Sequence, residues 1–283
     1  MLPSTSTFRL KKCDMARAKT VKSRGVLHAS LDAAGFAHAR YWPSPDLARF
    51  VEHYWAVDWK LESPCQRETL PHPVVHLVAE FGEATIGGPS TKRWTRTFPQ
   101  GAGRVFAIKF RPGGFKPFVD GPVCAFADRI VPVSDAFGRD ARSLGREVLD
   151  APDHHAAVAV FETFLRARAP AQDTTVDLVA GIAARIASDR AMTRIEDVAT
   201  EFALTPRTLQ RLFREYVGVS PKWVIQRYRL HEVVERIDAH SQIDWAATAL
   251  ELGYADQAHL IRDFKKLVGR SPAEYARSVR AAS

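Results

Sequence analysis

Four side-chain positions recur on two stretches of the chain with one spacing. In the first stretch they are Arg207, Gln210, Arg211 and Arg214; 51 residues further on they are Ala258, Ile261, Arg262 and Lys265. At the helical period each set falls on a single face. Arginine offers a planar fork of donors that fits O6 and N7 of guanine, and glutamine pairs with N6 and N7 of adenine. A cation further along such a helix reaches backbone phosphate instead. Arg207, Gln210 and Arg211 therefore suit base edges, and Arg214 suits phosphate. In the second stretch Ala258 and Ile261 can touch thymine methyls but cannot read donors and acceptors, leaving Arg262 and Lys265 as anchors. Thr208 and Gln257 are polar candidates beside these sets.

The elements that would hold these faces are visible in the same stretches. Opposite the polar positions lie Leu209, Leu212, Phe213 and Tyr216 in the first, and Leu260, Phe264, Leu267 and Val268 in the second. Thr205 before Pro206 is a good N-cap followed by a good first helical residue, and Asp256 can cap the second helix. The stretches are copies. Leu209, Arg211, Phe213, Gly218, Ser220 and Pro221 recur 51 positions later as Leu260, Arg262, Phe264, Gly269, Ser271 and Pro272. Upstream, Val198–Ala199 corresponds to Thr248–Ala249 at a separation of 50, so the second copy needs a turn one residue longer. Helix, tight turn, helix is the helix-turn-helix arrangement. A solvated charged face is the competing explanation for Arg on a helix. The segment 172–283 carries 16 basic against 15 acidic residues, so charge alone does not reject it. Matched cations at Arg211/Arg262 and Arg214/Lys265 in both copies do.

From about residue 177 to 277 the chain resembles the DNA-binding domain of AraC-type transcription regulators. The first half matches through Ile195, Val198–Ala199, Thr205, Leu209, Arg211, Phe213 and Gly218, Ser220–Pro221, with Arg227–Tyr228–Arg229–Leu230 after it. The second matches through Ala249, Gly253–Tyr254, Asp256–Gln257, Arg262, Phe264–Lys265–Lys266, Gly269, Ser271–Pro272 and Tyr275. Thr248, Leu260 and Val233 depart from the usual residues of the family. The resemblance implies seven helices: two helix-turn-helix units joined by a long helix from about Pro221 to Ile237. Its two recognition helices would enter successive major grooves about 34 Å apart. The segment 40–135 more loosely resembles the sensor half of such regulators.

That amino-terminal half reads as β-rich. Trp55 to Leu61 alternates as a half-buried strand does, and Val74–Val78 and Val105–Phe110 are short apolar runs. Gly82, Gly87–Gly88–Pro89, Gly101, Gly103 and Pro112–Gly113–Gly114 punctuate turns. Leu47, Phe50, Val51 and Tyr54 stand at helical spacing and predict a short helix over 46–54. Ala156, Val160, Phe161, Phe164 and Leu165 predict a connector helix, packed on its own core rather than on a second copy. A break follows at 170–174.

Other chemistry is poorly supported. His72 and His76 stand four apart, with His53 upstream, a spacing that could bind metal on a helix, but Pro71 and Pro73 flank His72 and favour a strand or loop, and no carboxylate–His cluster completes a site. Pro64–Cys65–Gln66–Arg67 faintly resembles the Pro-Cys-His-Arg of DNA alkyl-transfer repair proteins, but Gln66 replaces the activating histidine. That repair reading, with Cys65 as acceptor nucleophile, is the alternative function. Arg111 to Phe115, flanked by Lys109 and Lys116, fits no phosphate-loop pattern and reads as a turn.

Composition sets the frame. The 283 residues are 46% hydrophobic, enough for packed cores, with a net charge of +8. Seven cations against Asp14 within residues 1–25 supply most of that charge and read as a disordered basic tail. Cys13, Cys65 and Cys124, an odd set without C-x-x-C spacing, exclude a disulfide framework and point to a reducing cytoplasm. No apolar run is long enough to span a bilayer. The expected fold is a two-domain α+β chain: a tail over 1–25; a β-rich, barrel-like effector or dimerisation domain with its helical connector over 26–171; and an all-α double helix-turn-helix domain over 172–283. No enzyme activity, cofactor or metal is expected. The expected partner is double-stranded DNA; a small-molecule effector, a second copy of the chain and, for an activator, RNA polymerase stay open.

Overall fold

The computed structural model describes residues 35–70, 72–168, 173–239 and 243–282. The basic tail and the break at 170–172 lie outside them.

The amino-terminal half is built on β1 (Phe36–Tyr41), β2 (Val51–Leu61), β3 (Cys65–Thr69), β4 (His76–Glu80), β5 (Glu83–Gly87), β6 (Trp94–Phe98), β7 (Gly101–Phe110) and β8 (Ile130–Pro132). Six of them form one antiparallel sheet in the order β1-β2-β7-β4-β5-β8, and β3 pairs with β6 as a separate ribbon. The alternation in β2 sorts its side chains. Tyr54 and Ala56 enter the main core, whereas Val57 and Trp59 join Phe98 of the ribbon on the other face. Gly103 faces Trp59 in the register, and a Cβ there would lie 2.2 Å from the indole, so glycine lets the ring lie flat on β7.

The helix expected over 46–54 is absent. Residues 45–50 are a turn, and β2 starts at Val51, which pairs with Phe110. Leu47, Phe50, Val51 and Tyr54 are buried as their spacing demands, but the ladder with β7 claims the backbone from Val51 onward. Tertiary pairing overrides a helical spacing that a turn plus a strand also satisfies. A bulge between Val51 and His53 turns Glu52 toward Lys109, whose Nζ donates to its carboxylate at 2.9 Å.

Three helices complete this half: α1 (Val133–Phe137), α2 (Leu144–Leu149) and α3 (His154–Arg166). Asp153 caps α3 by accepting from the Ala156 N–H at 2.8 Å. Phe161 and Leu165 are fully buried in the main core, and the Phe161 ring stacks on Tyr54 at 6.3 Å. The connector helix thus packs on its own sheet.

Seven helices follow, as expected: α4 (Thr174–Ser188), α5 (Ile195–Glu201), α6 (Pro206–Leu212), α7 (Pro221–Asp238), α8 (Trp245–Glu251), α9 (Gln257–Val268) and α10 (Pro272–Ala282). A π-helical turn, Phe213–Val217, continues α6. The α5–α6 connection spans 202–205 and the α8–α9 connection 252–256, which is the one-residue difference read from the repeat. At equivalent turn positions Ala203 takes φ +52° and Gly253 φ +78°. The Gly-x-Ser-Pro repeats are stop-and-start signals. Gly218 and Gly269 adopt the left-handed conformation that ends a helix, and Pro221 and Pro272 open the next. Ser220 caps α7 through the Trp223 N–H, and Ser271 with Glu274 forms a reciprocal capping box on α10.

The long helix α7 serves two cores. Val224 and Ile225 pack with Val198, Leu209 and Phe213 of the first unit; Leu230, Val233, Val234 and Ile237 pack with Ala249, Leu260 and Phe264 of the second. Between these sets Arg227 and Arg229 are only 2% exposed. Arg229 Nη2 donates to the carbonyls of Ile186, Asp189 and Met192, tying α7 to the end of α4. Desolvation pushes the Arg227 guanidinium down to about 9.

The sheet half reaches into both units. Leu70, directly after β3, is fully buried in the core of the second unit. His72 lies against His231 at 4.6 Å between ring centroids. Arg93 Nη1 donates to the carbonyl of Val268 at the end of α9 (3.1 Å) and pairs with Glu68, which also faces Arg270. On the first unit, Gly218 packs on Pro89 and Val123, and the Lys116 Nζ lies 5.9 Å from the centre of the Tyr216 ring.

Candidate nucleic-acid interface

Each recognition helix is fixed at its start by a cap and along one side by burial. Thr205 Oγ1 accepts from the Thr208 N–H at 3.1 Å, and Asp256 Oδ1 from the His259 N–H at 2.7 Å. Both expected caps are formed, with Pro206 at the first position of α6. Leu209 and Phe213 of the first helix and Leu260, Phe264 and Val268 of the second are completely buried. Tyr216 is only partly buried because its ring turns toward Asp173 and Lys116. Locked on that side, each helix has one rotational setting.

That setting turns the candidate residues outward. Arg207, Gln210, Arg211 and Arg214 are exposed, and Thr208 is half-buried beside its cap. In the second unit Gln257, Ala258, Arg262 and Lys265 are exposed, and Ile261 is half-buried. Among the described residues none of Arg207, Gln210, Arg211, Arg214, Arg262 and Lys265 makes a side-chain hydrogen bond or ion pair. Arginines elsewhere in the helical half behave differently. Arg185 pairs with Asp189 and Glu201, Arg190 with Glu232, and Arg236 with both Glu232 and Glu251. The polar faces of the two recognition helices thus keep their donors free, as binding an external polyanion requires.

The other sequence candidates are scattered. His76 Nδ1 accepts from Trp55 Nε1 at 3.2 Å, His53 lies beside Glu52, and His72 faces His231, so the three do not converge. Burial pushes the His76 imidazole down to about 3, and Lys109 and His53 add to that. Burial raises the Glu52 carboxyl, but hydrogen bonds from His53 and Lys109 outweigh it and hold the group at about 2. Cys65 Sγ donates to the Gln66 carbonyl at 3.8 Å, and Arg67 lies over the Phe36 ring. The Gly113–Gly114 segment is a packed turn: a Cβ on Gly114 would sit 2.1 Å from the Phe50 oxygen, and one on Gly113 would touch Val179.

One residue of the interface region escaped the sequence reading as a DNA-binding candidate. Lys116 comes from the sheet half, yet it lines a cleft with Arg211 and Arg214. Its only local signal was a cation beside a glycine pair.

Comparison with known proteins agrees with the geometry. Residues 198–278 match a family model described as a helix-turn-helix domain, and residues 39–132 match a domain of unknown function (DUF6597). The chain is 37% identical over 83 residues to the putative HTH-type transcriptional regulator YkgA of Escherichia coli, covering 29% of this chain and 34% of that protein. It is 33% identical over 79 residues to the HTH-type transcriptional activator RhaS of Escherichia fergusonii, covering 28% of each. The chain thus spans about a third of the length of the curated relatives it matches. The solved structure of ToxT from Vibrio cholerae is similar over 86% of this chain and 98% of its own, at 12% identity and a TM-score of 0.38.

Proposed function

We propose that this chain is a sequence-specific DNA-binding regulator of transcription, with the helix-turn-helix domain matched over residues 198–278 acting as an AraC-type DNA-binding domain. The observation that carries this is the pair of capped, one-side-buried helices on which Arg207, Gln210, Arg211, Arg214, Arg262 and Lys265 make no side-chain hydrogen bond or ion pair among the described residues. Helix α6 supplies most of the specificity: Arg207 and Arg211 address guanine, Gln210 addresses adenine, Thr208 borders them and Arg214 holds phosphate. Helix α9 anchors through Arg262 and Lys265, with Ala258 and Ile261 against thymine methyls and Gln257 at the helix start. Residues 172–283 act as the DNA-binding domain and 26–171 as the domain that receives an effector or a second copy. Support for the latter role is that the sheet half touches the second unit through Leu70 and the first through Pro89, Val123 and Lys116, so a ligand bound there has a mechanical route to each. An activator would add RNA polymerase to the partners. Among the described residues no helix is long and apolar enough to cross a membrane, in keeping with work in the cytoplasm.

Selection of bound duplexes from a random pool by the full chain at near-physiological salt tests the proposal. The expected result is one motif with two half-elements about 10–10.5 bp apart. Binding without sequence enrichment, unchanged by Arg211→Ala or Lys265→Ala, would refute it.

A further inference from the structure

Beside α6 runs a cleft of about 350 Å³ that belongs to neither half alone. One wall is the recognition helix, with Arg211, Arg214 and Glu215; the other is the sheet half, with Lys116, Gly121 and Pro122. The walls are held together firmly. A Cβ on Gly218 would come within 2.8 Å of Pro89 and 3.0 Å of the Val123 carbonyl, so the chain at the end of the helix lies directly against the opposite wall. The Lys116 Nζ rides 5.9 Å from the centre of the Tyr216 ring, and Tyr216 is itself hydrogen-bonded to Asp173. Three cations thus line the cleft with Glu215, on the same side as the exposed Arg211 and Arg214, and the Asp173 carboxylate bonded to Tyr216 lies within electrostatic reach of Lys116.

We infer that the DNA interface continues from the first recognition helix onto the sheet half, where Lys116 binds a phosphodiester of the strand bordering the groove. This rests on the DNA-binding reading above. A helix in a major groove has a sugar-phosphate strand along its flank, and residues toward its carboxyl end are the ones that meet it. Lys116 stands on that flank at the level of Arg211 and Arg214, and among the described residues it makes no ion pair. A small free anion in so open a cleft would remain largely hydrated. A duplex brings many phosphates and gains from counterion release at each one neutralised. The cleft therefore favours the polymer. The sheet half then contributes directly to affinity as well as holding the two units.

The test uses the full chain and a mixed-sequence duplex about two helical turns long, titrated across a salt series. Lys116→Ala should weaken binding and lower the slope of log K against log salt by about 0.9, the value for one phosphate contact. Lys116→Arg should restore both. Base preferences from the random-pool selection should be unchanged by Lys116→Ala and altered by Arg211→Ala. Equal thermal midpoints of Lys116→Ala and the parent exclude a folding defect. If Arg211→Ala and Arg214→Ala weaken binding and Lys116→Ala leaves affinity and slope intact, the interface stops at the helix and this inference fails, while the DNA reading stands. If all three variants bind as the parent does, the DNA reading itself fails. Inorganic phosphate supplies the remaining arm. If it raises the thermal midpoint of the parent but not of Lys116→Ala, and the salt slopes coincide, the cleft is a small-anion site and the inference is overturned.

Discussion

Leu70 offers the sharpest check on how the two halves are joined. It follows a strand of the sheet half, yet its side chain is fully buried among Leu230, Val233, Leu260, Phe264 and Tyr275 of the second unit. Leu70→Ala removes three carbons, about 2.4 kcal/mol of transfer free energy at ~0.8 kcal/mol each. The site is walled by helices α7, α9 and α10, so it relaxes little. Adding about 24 cal/mol for each Å³ of residual cavity brings the expected loss to about 3–5 kcal/mol. Urea unfolding of the full chain measures the total, and hydrogen exchange locates it. Protection should fall most in α8 to α10, while β2 and β7 stay protected, because the cavity opens in the core of the helical unit. A loss below about 1 kcal/mol, or one confined to the sheet, would show that Leu70 does not hold the second unit.

Three other outcomes are expected. Ala203→Gly relieves a left-handed alanine at the position where the second unit has Gly253, and should raise stability by about 0.5–1 kcal/mol in denaturant titrations. Gly253→Ala should do the opposite, because a Cβ there would lie 2.6 Å from that of Thr193. Acid should weaken the fold from about pH 6.5, the ordinary value of His76, down toward 3. Over that range the unfolded chain takes up a proton that the folded chain, with His76 against Trp55 and near Lys109, His53 and Glu52, refuses. The slope is up to ~1.4 kcal/mol per pH unit, and Glu52 adds its own loss below 4.5. His76→Gln should flatten the upper part of the curve in thermal melts between about pH 7.5 and 5. In base-preference profiling Arg207→Ala should lose about 1–3 kcal/mol of discrimination at one position, and Ile261→Ala much less. Equal relaxation by both would end the idea of an asymmetric reader.

What the sequence reveals here follows the range of the interaction. Caps, stop-and-start glycines and one-sided burial act within a few residues, so Thr205, Asp256, Gly218 and Gly269 could be read directly. The extra residue in the second turn could be read because the repeat serves as its own ruler. The turn and strand at 46–54 could not, because Leu47, Phe50, Val51 and Tyr54 suit a helix equally well. What decides between them is the pairing of Val51 with Phe110, far along the chain. Leu70 sits between a polar strand and Pro71 with no period around it, so nothing local announces a core residue. Lys116 is the same case: its relation to Arg211 and Arg214 exists only once the two halves are packed.

The buried arginines of α7 bear on how this protein would look to a genetic screen. Arg227 and Arg229 sit in the middle of the helical domain, where an investigator hunting for lost repression or activation would score them as contacts to the operator. Arg229 is instead a strut, its Nη2 spent on three carbonyls at and just after the end of α4. Replacing it would let the first unit swing away from the linking helix and erase regulation without removing a single contact to a base. Methionine, with an unbranched stem and no donor, would leave those three carbonyls without their partner, so an allele that spares the packing would still score as a null. A map of such alleles would thus outline two different things in one colour: the faces proposed to read DNA and the hidden frame that keeps those faces in step.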